Sequence, residues 1–169
     1  MKYTISTISP LELPSFFKVF QEILTQEFTQ YKPHIIHYLL GSIYNQTNFT
    51  YWLENNLKII YVAKDTDGTI VGFAVIDEPY GGVSLCRWLG ITHKYQKKGI
   101  GKALIAKWLD LAVSQKCHKI ELAAVTSAKE FYTKAGLVLE GLRKLSYFGA
   151  DQYVFGKVLG PINDISIIR

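Results

Sequence analysis

The sequence predicts a mixed α/β fold, a central, mostly antiparallel sheet with helices on both faces. Three observations predict it. Short stretches with two-residue alternation recur from Tyr3 to Leu159, stretches with apolar residues every three or four positions lie between them, and a long strand-like run over residues 83–92 passes through a glycine-containing loop into a helical pattern. The chain has 169 residues, 49% hydrophobic and 20% charged, which suits a globular chain with a core of its own and excludes a disordered or fibrous one. A single domain over residues 1–160 is expected, with 161–169 as a C-terminal tail.

Residues 3–8 alternate as a short strand. Ser9, Pro10 and Glu12 then supply an N-cap, a proline at the first helical position and a capping-box glutamate, so a helix starts there. Its residues Leu13, Phe16, Phe17, Phe20, Ile23, Leu24 and Phe28 recur at spacings of three and four and give it one packing face. Residues 31–33 break it. A less regular helical region carries Ile35, Ile36, Leu39, Leu40 and Ile43, and the polar stretch 45–48 leads into a short turn around Trp52 and Leu53.

Residues 58–64 and 69–76 read as strands of a hairpin whose turn ends in Gly68, a residue free to take positive φ. Pro79 and the pair Gly81-Gly82 mark the next turn, before the strand at 83–92. After the loop, Ile100, Ala103, Leu104, Trp108 and Leu111 form the buried stripe of a helix. A strand at 119–124 precedes a second capping box, Ser127 to Glu130, and a short helix stopped by Gly136. Residues 137–147 and 152–159 close the chain as a hairpin.

The formal charge is +5, which favours anionic partners: a nucleic acid, a membrane surface or a phosphorylated cofactor. Cys86 and Cys117 have neither metal-ligand nor redox spacing and make no disulfide framework, so reduced thiols and a cytoplasmic location are expected. The first residues lack an apolar signal core and no apolar run is long enough to span a bilayer. No metal is expected.

The loop before the second long helix reads Gln96, Lys97, Lys98, Gly99, Ile100, Gly101, Lys102. A glycine loop opening a helix turns several unpaired N–H groups toward one point, where the helix dipole adds positive charge. Phosphate fits there, and the lysines add attraction; a tight turn with solvated lysines explains the same residues. The dinucleotide fingerprint fails because Leu104 stands where its third glycine belongs, and the mononucleotide P-loop fails at Gln96 and Ala103.

Placed after a long strand and before an amphipathic helix, Gln96, Gly99 and Gly101 resemble the Gln/Arg-x-x-Gly-x-Gly/Ala acetyl-coenzyme A loop of the GNAT N-acetyltransferases. Ala128, Phe131, Tyr132, Lys134, Gly136 and Leu137 resemble that family's later helix and the strand after it. The resemblance covers nearly the whole chain. It implies a GNAT-like acyltransferase fold in which the strands at 83–92 and 119–124 splay apart and admit pantetheine. It further implies acetyl-coenzyme A as cosubstrate, held by the backbone of Leu89 and Ile91 and by amides over Gln96, Lys97, Lys98, Gly99, Ile100, Gly101 and Lys102. The partners implied are acetyl-coenzyme A and an amine acceptor, without nucleic acid or membrane, a homodimer being left open. Where the family often carries asparagine this chain has Val125, so Ser127 or Thr126 takes over that contact.

An amine with pKa about 10.4 is roughly 99.9% protonated at pH 7, so attack needs a base, and departure of the thiolate needs an acid. The resemblance makes Tyr132 the acid; packing against Phe131, Ala128 and Ala135 is its other reading. The family's strand carboxylate has no counterpart in residues 84–89, which leaves Asp77, Glu78 and His93 as base candidates acting through water. Each is equally an ordinary turn or surface residue. Acceptor recognition falls to residues 27–54, rich in Tyr31, His34, His37, Tyr38, Tyr44, Tyr51 and Trp52, and to the final hairpin; core packing explains the same aromatic residues more cheaply. The expected activity is acetyl transfer to a primary amine of a small molecule or peptide by direct attack in a ternary complex. A cofactor-binding module without chemistry and a basic nucleic-acid-binding domain are the alternatives.

Overall fold

The computed structural model describes residues 2–168, the side chains of 165 and 166 excepted. Met1 and Arg169, the outermost residues of the expected domain and tail, lie outside the described residues. Seven strands, β1 (Thr4–Thr7), β2 (Lys58–Lys64), β3 (Ile70–Asp77), β4 (Val83–Ile91), β5 (Lys119–Ala124), β6 (Val138–Arg143) and β7 (Gln152–Val158), follow the order β1-β2-β3-β4-β5-β7-β6. The helices are α1 (Leu13–Glu27), α2 (Pro33–Tyr38), α3 (Gln46–Glu54), α4 (Ile100–Ser114), α5 (Lys129–Lys134) and, within the expected tail, α6 (Asp164–Ile167). The mixed α/β expectation therefore holds. The chain forms two compact units, one of Met1–Val75 with Trp88–Leu104 and one of Ile76–Arg87 with Ile105–Arg169.

In the first unit β1 runs antiparallel to β2, with Thr4 opposite Lys64 and Thr7 opposite Tyr61. The predicted capping box forms: the Ser9 N–H and its hydroxyl both donate to the Glu12 carboxylate at 2.9 Å. From α1, Phe16 and Phe20 meet Phe49 and Phe73 with ring centroids 5.1 to 5.4 Å apart, a close-packed aromatic core. Trp88 joins it against Phe28 and Tyr44. The short turn expected around Trp52 is instead the end of a full helix, α3. Its start lies in the polar stretch, where the Asn48 N–H donates to the Asn45 side chain at 2.8 Å and so caps the helix. Between α2 and α3 the chain makes one π-turn, Leu39–Ile43.

In the second unit the Gly81-Gly82 turn forms with φ of +58° and +75° at its two central residues, the values a two-residue hairpin requires. β4 pairs in parallel with β5 from Val83 opposite Lys119 to Cys86 opposite Leu122, and β4 continues past that ladder to Ile91. Buried Trp108 of α4 donates its indole N–H to Ser84 at 2.9 Å, which gives the buried Ser84 hydroxyl of β4 a partner. The second capping box does not form. A 3-10 turn, Thr126–Ala128, precedes α5, and Glu130 accepts from Lys134 at 2.5 Å one turn along the helix instead of reaching back to Ser127. Gly136, at φ +83°, ends α5 as predicted: its N–H donates to the Thr133 carbonyl and the Leu137 N–H to the Tyr132 carbonyl.

Candidate functional site

Where β4 ends, Thr92 is fixed by its N–H, which donates to the Val71 carbonyl at 3.0 Å, and a 3-10 turn, His93–Tyr95, carries the chain toward α4. The Tyr95 hydroxyl donates to Asp65 at 2.7 Å; that bond holds the Asp65 carboxyl below its ordinary value and raises the Tyr95 phenol. Lys98 donates to the Lys94 carbonyl at 2.7 Å with its ammonium 5.0 Å from the Tyr95 ring. Gln96 donates its side-chain amide to Glu27 at 2.8 Å and to the Ile91 carbonyl at 3.3 Å, while its own backbone N–H donates to the His93 carbonyl. Turn, strand end and α1 are thus tied together by side chains.

Past Gln96 the backbone enters the left-handed region twice, at Lys97 with φ +58° and at Gly99 with φ +84°. Gly99 suits that conformation, whereas a lysine there costs about 1–2 kcal/mol, a strain retained only where surrounding contacts hold it. Among the described residues, the N–H groups of Lys97, Lys98, Gly99, Ile100, Gly101 and Lys102 have no protein acceptor, and the first helical bond is from Ala103 to Gly99 at 3.1 Å. Six consecutive free donors and the positive end of a 15-residue helix make a cradle that can receive a polyanion. Ile100 anchors the cradle, fully buried, and Gly72 beneath it admits no side chain, since a Cβ there would lie 2.6 Å from Ile91 Cδ1.

The remaining expected site residues have distinct settings. His93 is 84% exposed, with its Nδ1 3.4 Å from Glu27. Asp77 accepts from Arg87 Nε at 2.9 Å and Nη2 at 2.6 Å, and Glu78 is exposed. Ser127 is exposed in its 3-10 turn. Tyr132 is buried, its ring 4.9 Å from Phe131 and 5.7 Å from Phe155. Burial first, and the neighbouring Cys86 sulfur second, push its phenol well up, so it stays neutral and able to donate. Among the described residues no three His, Cys, Asp or Glu side chains gather as metal ligands, and no helix is long and apolar enough to cross a membrane.

A model of the acetyltransferase (GNAT) family matches residues 14–137, which include β4, the cradle and Tyr132. The chain belongs to the GNAT acetyltransferase family. Solved structures agree on the GNAT fold. The PaiA N-acetyltransferase of Thermoplasma acidophilum, in complex with coenzyme A, superposes with a TM-score of 0.78 at 20% identity, covering 94% of this chain and 100% of that one. The ribosomal-protein-S5-alanine acetyltransferase of Vibrio fischeri gives 0.73 at 18% identity over 94% and 93%. The ribosomal-protein-S18-alanine N-acetyltransferase of Escherichia coli gives 0.70 at 15% over 96% and 97%. No match was found among curated proteins.

Sequence reading of this GNAT chain named the cradle but missed what holds it. Glu27 lies 69 positions from Gln96, and Asp65 lies 30 from Tyr95, so no local spacing announces either bond. Arg87 on Asp77 escaped for the same reason: the two sit on strands ten positions apart. Gln96 itself changes meaning, since its side chain and its N–H are both engaged by protein.

Proposed function

We propose that this GNAT chain transfers the acetyl group of acetyl-coenzyme A to a primary amine of a small molecule or peptide, by direct attack in a ternary complex, with residues 1–160 acting as one domain in the cytoplasm. The observation that carries the reading is the row of six free amides from Lys97 to Lys102 at the head of α4, in a chain of this family. These amides receive the pyrophosphate, and Lys97, Lys98 and Lys102 screen its charge. The β4–β5 ladder covers Val83–Cys86 only, which supports the use of Leu89 and Ile91 as an added-strand template for the pantetheine amides. A backbone N–H there polarises the thioester carbonyl.

Tyr132 is the proposed acid. Its phenol is neutral and buried, so it presents an O–H to the leaving thiolate; burial raises its pKa and opposes full proton release, which makes a hydrogen bond to the developing thiolate its main contribution. The ammonium proton leaves through water toward Glu78 or His93, both exposed. Asp77 is the poorer base because the Arg87 guanidinium occupies its carboxylate. Ser127, exposed ahead of α5, is the proposed substitute for the family's asparagine.

The acceptor region of the proposal, residues 27–54, packs Tyr44, Phe49 and Trp52 against one another and leaves Tyr38 and Tyr51 about half exposed. Those two rings suit a cation-bearing acceptor. The test is release of coenzyme A thiol from acetyl-coenzyme A across a panel of polyamines, amino sugars and peptide N-termini. Release with at least one amine supports the reading; binding of the cofactor without release to any of them favours a module that has lost chemistry, a reading to which the absence of a carboxylate from β4 lends support.

A further inference from the structure

We infer that Glu27 is a positioning residue for the cofactor cradle, acting through Gln96; the inference rests on the proposed site reading. Glu27 closes α1, 28% exposed, and its two oxygens face two residues of the turn: Oε2 accepts from Gln96 Nε2 at 2.8 Å, and Oε1 lies 3.4 Å from His93 Nδ1. The same Gln96 amide reaches the Ile91 carbonyl at 3.3 Å. One carboxylate therefore fixes the last residue before the two left-handed positions, Lys97 and Gly99, and one end of the strand edge proposed to template the ligand.

A cradle of backbone amides binds well only when its N–H vectors are already aimed, because any freedom left in the loop is lost on binding and subtracts from affinity. Lys97 at φ +58° has other conformations within reach at lower backbone energy, so something must hold the loop. Of the side-chain bonds on this turn, that of Tyr95 to Asp65 lies one residue further back and that of Lys98 to Lys94 follows Lys97, while the residue directly before Lys97 is held by the bonds from Gln96 to Glu27 at 2.8 Å and to the Ile91 carbonyl at 3.3 Å, the former the shorter. A charged acceptor makes it the stronger kind. Glu27 touches no atom of coenzyme A in this account; its contribution to cofactor binding is the loop's geometry.

Calorimetric titration of coenzyme A into wild type, Glu27→Ala and Glu27→Gln, together with steady-state kinetics, tests this. Alanine removes the acceptor, whereas glutamine restores an uncharged carbonyl to Gln96. Expected for Glu27→Ala is an affinity loss of about tenfold and a matching rise in KM for acetyl-coenzyme A, larger than any change in the amine KM, with kcat within about twofold. Glu27→Gln recovers most of the affinity. Equal affinity in wild type and Glu27→Ala overturns the inference, as does a loss that glutamine does not recover or that falls equally on the amine KM. Wild type that binds no coenzyme A overturns the site reading itself and this inference with it.

Discussion

Burial holds the Tyr132 phenol neutral, and the proposed chemistry needs a neutral phenol. Replacing it by phenylalanine keeps the packing against Phe131 and Phe155 and removes the proton, so kcat is expected to fall about 100-fold or more while coenzyme A affinity stays put. Unchanged kcat removes Tyr132 from the chemistry. The same side chain has a stability signature. Its folded pKa lies above the ordinary value of 10.0, so the unfolded chain releases the proton first, and the contribution is whole below pH 10 and lost as the pH climbs above it. Denaturant melts from pH 8 to 11 should show stability of the wild type falling more steeply above pH 10 than that of Tyr132→Phe; parallel curves contradict the burial of a titrating phenol.

Among the elements, the end of β4 is the one whose geometry the cradle inherits, and it is packed without slack. A Cβ on Gly90 would lie 2.6 Å from Ile23 Cγ2 and 3.1 Å from Phe73 Cζ. Gly90→Ala therefore pushes α1 off the strand and is expected to cost about 1–3 kcal/mol in a urea melt; a cost near zero means α1 is loosely seated. Elements of this kind were legible in the sequence wherever the signal is local. The capping box at Ser9, the Gly81-Gly82 turn and the stop at Gly136 are all present as the sequence predicts, because each depends on residues a few positions apart. Helix α3 was missed since Asn45 caps it from within a stretch whose composition says loop, and the Ser127 capping box was over-read since Lys134 competes for Glu130. What fixes the cradle from afar, Glu27 and Asp65, has no sequence period at all.

For the whole molecule, the reading of residues 1–160 as one domain predicts one cooperative unfolding transition in which calorimetric and van't Hoff enthalpies agree, and two resolved transitions contradict it. The net charge of +5 and the lysines around the cradle predict coenzyme A binding that weakens with salt, as ligand phosphates lose their attraction to a basic surface. The measurement that bears most directly on the central claim is the melting midpoint with and without excess acetyl-coenzyme A. At 100 times its dissociation constant a ligand adds about 2.7 kcal/mol, which for a chain of this size raises the midpoint by about 5–10 °C. That rise is what a cradle of six free amides predicts; a midpoint unmoved at millimolar acetyl-coenzyme A contradicts it.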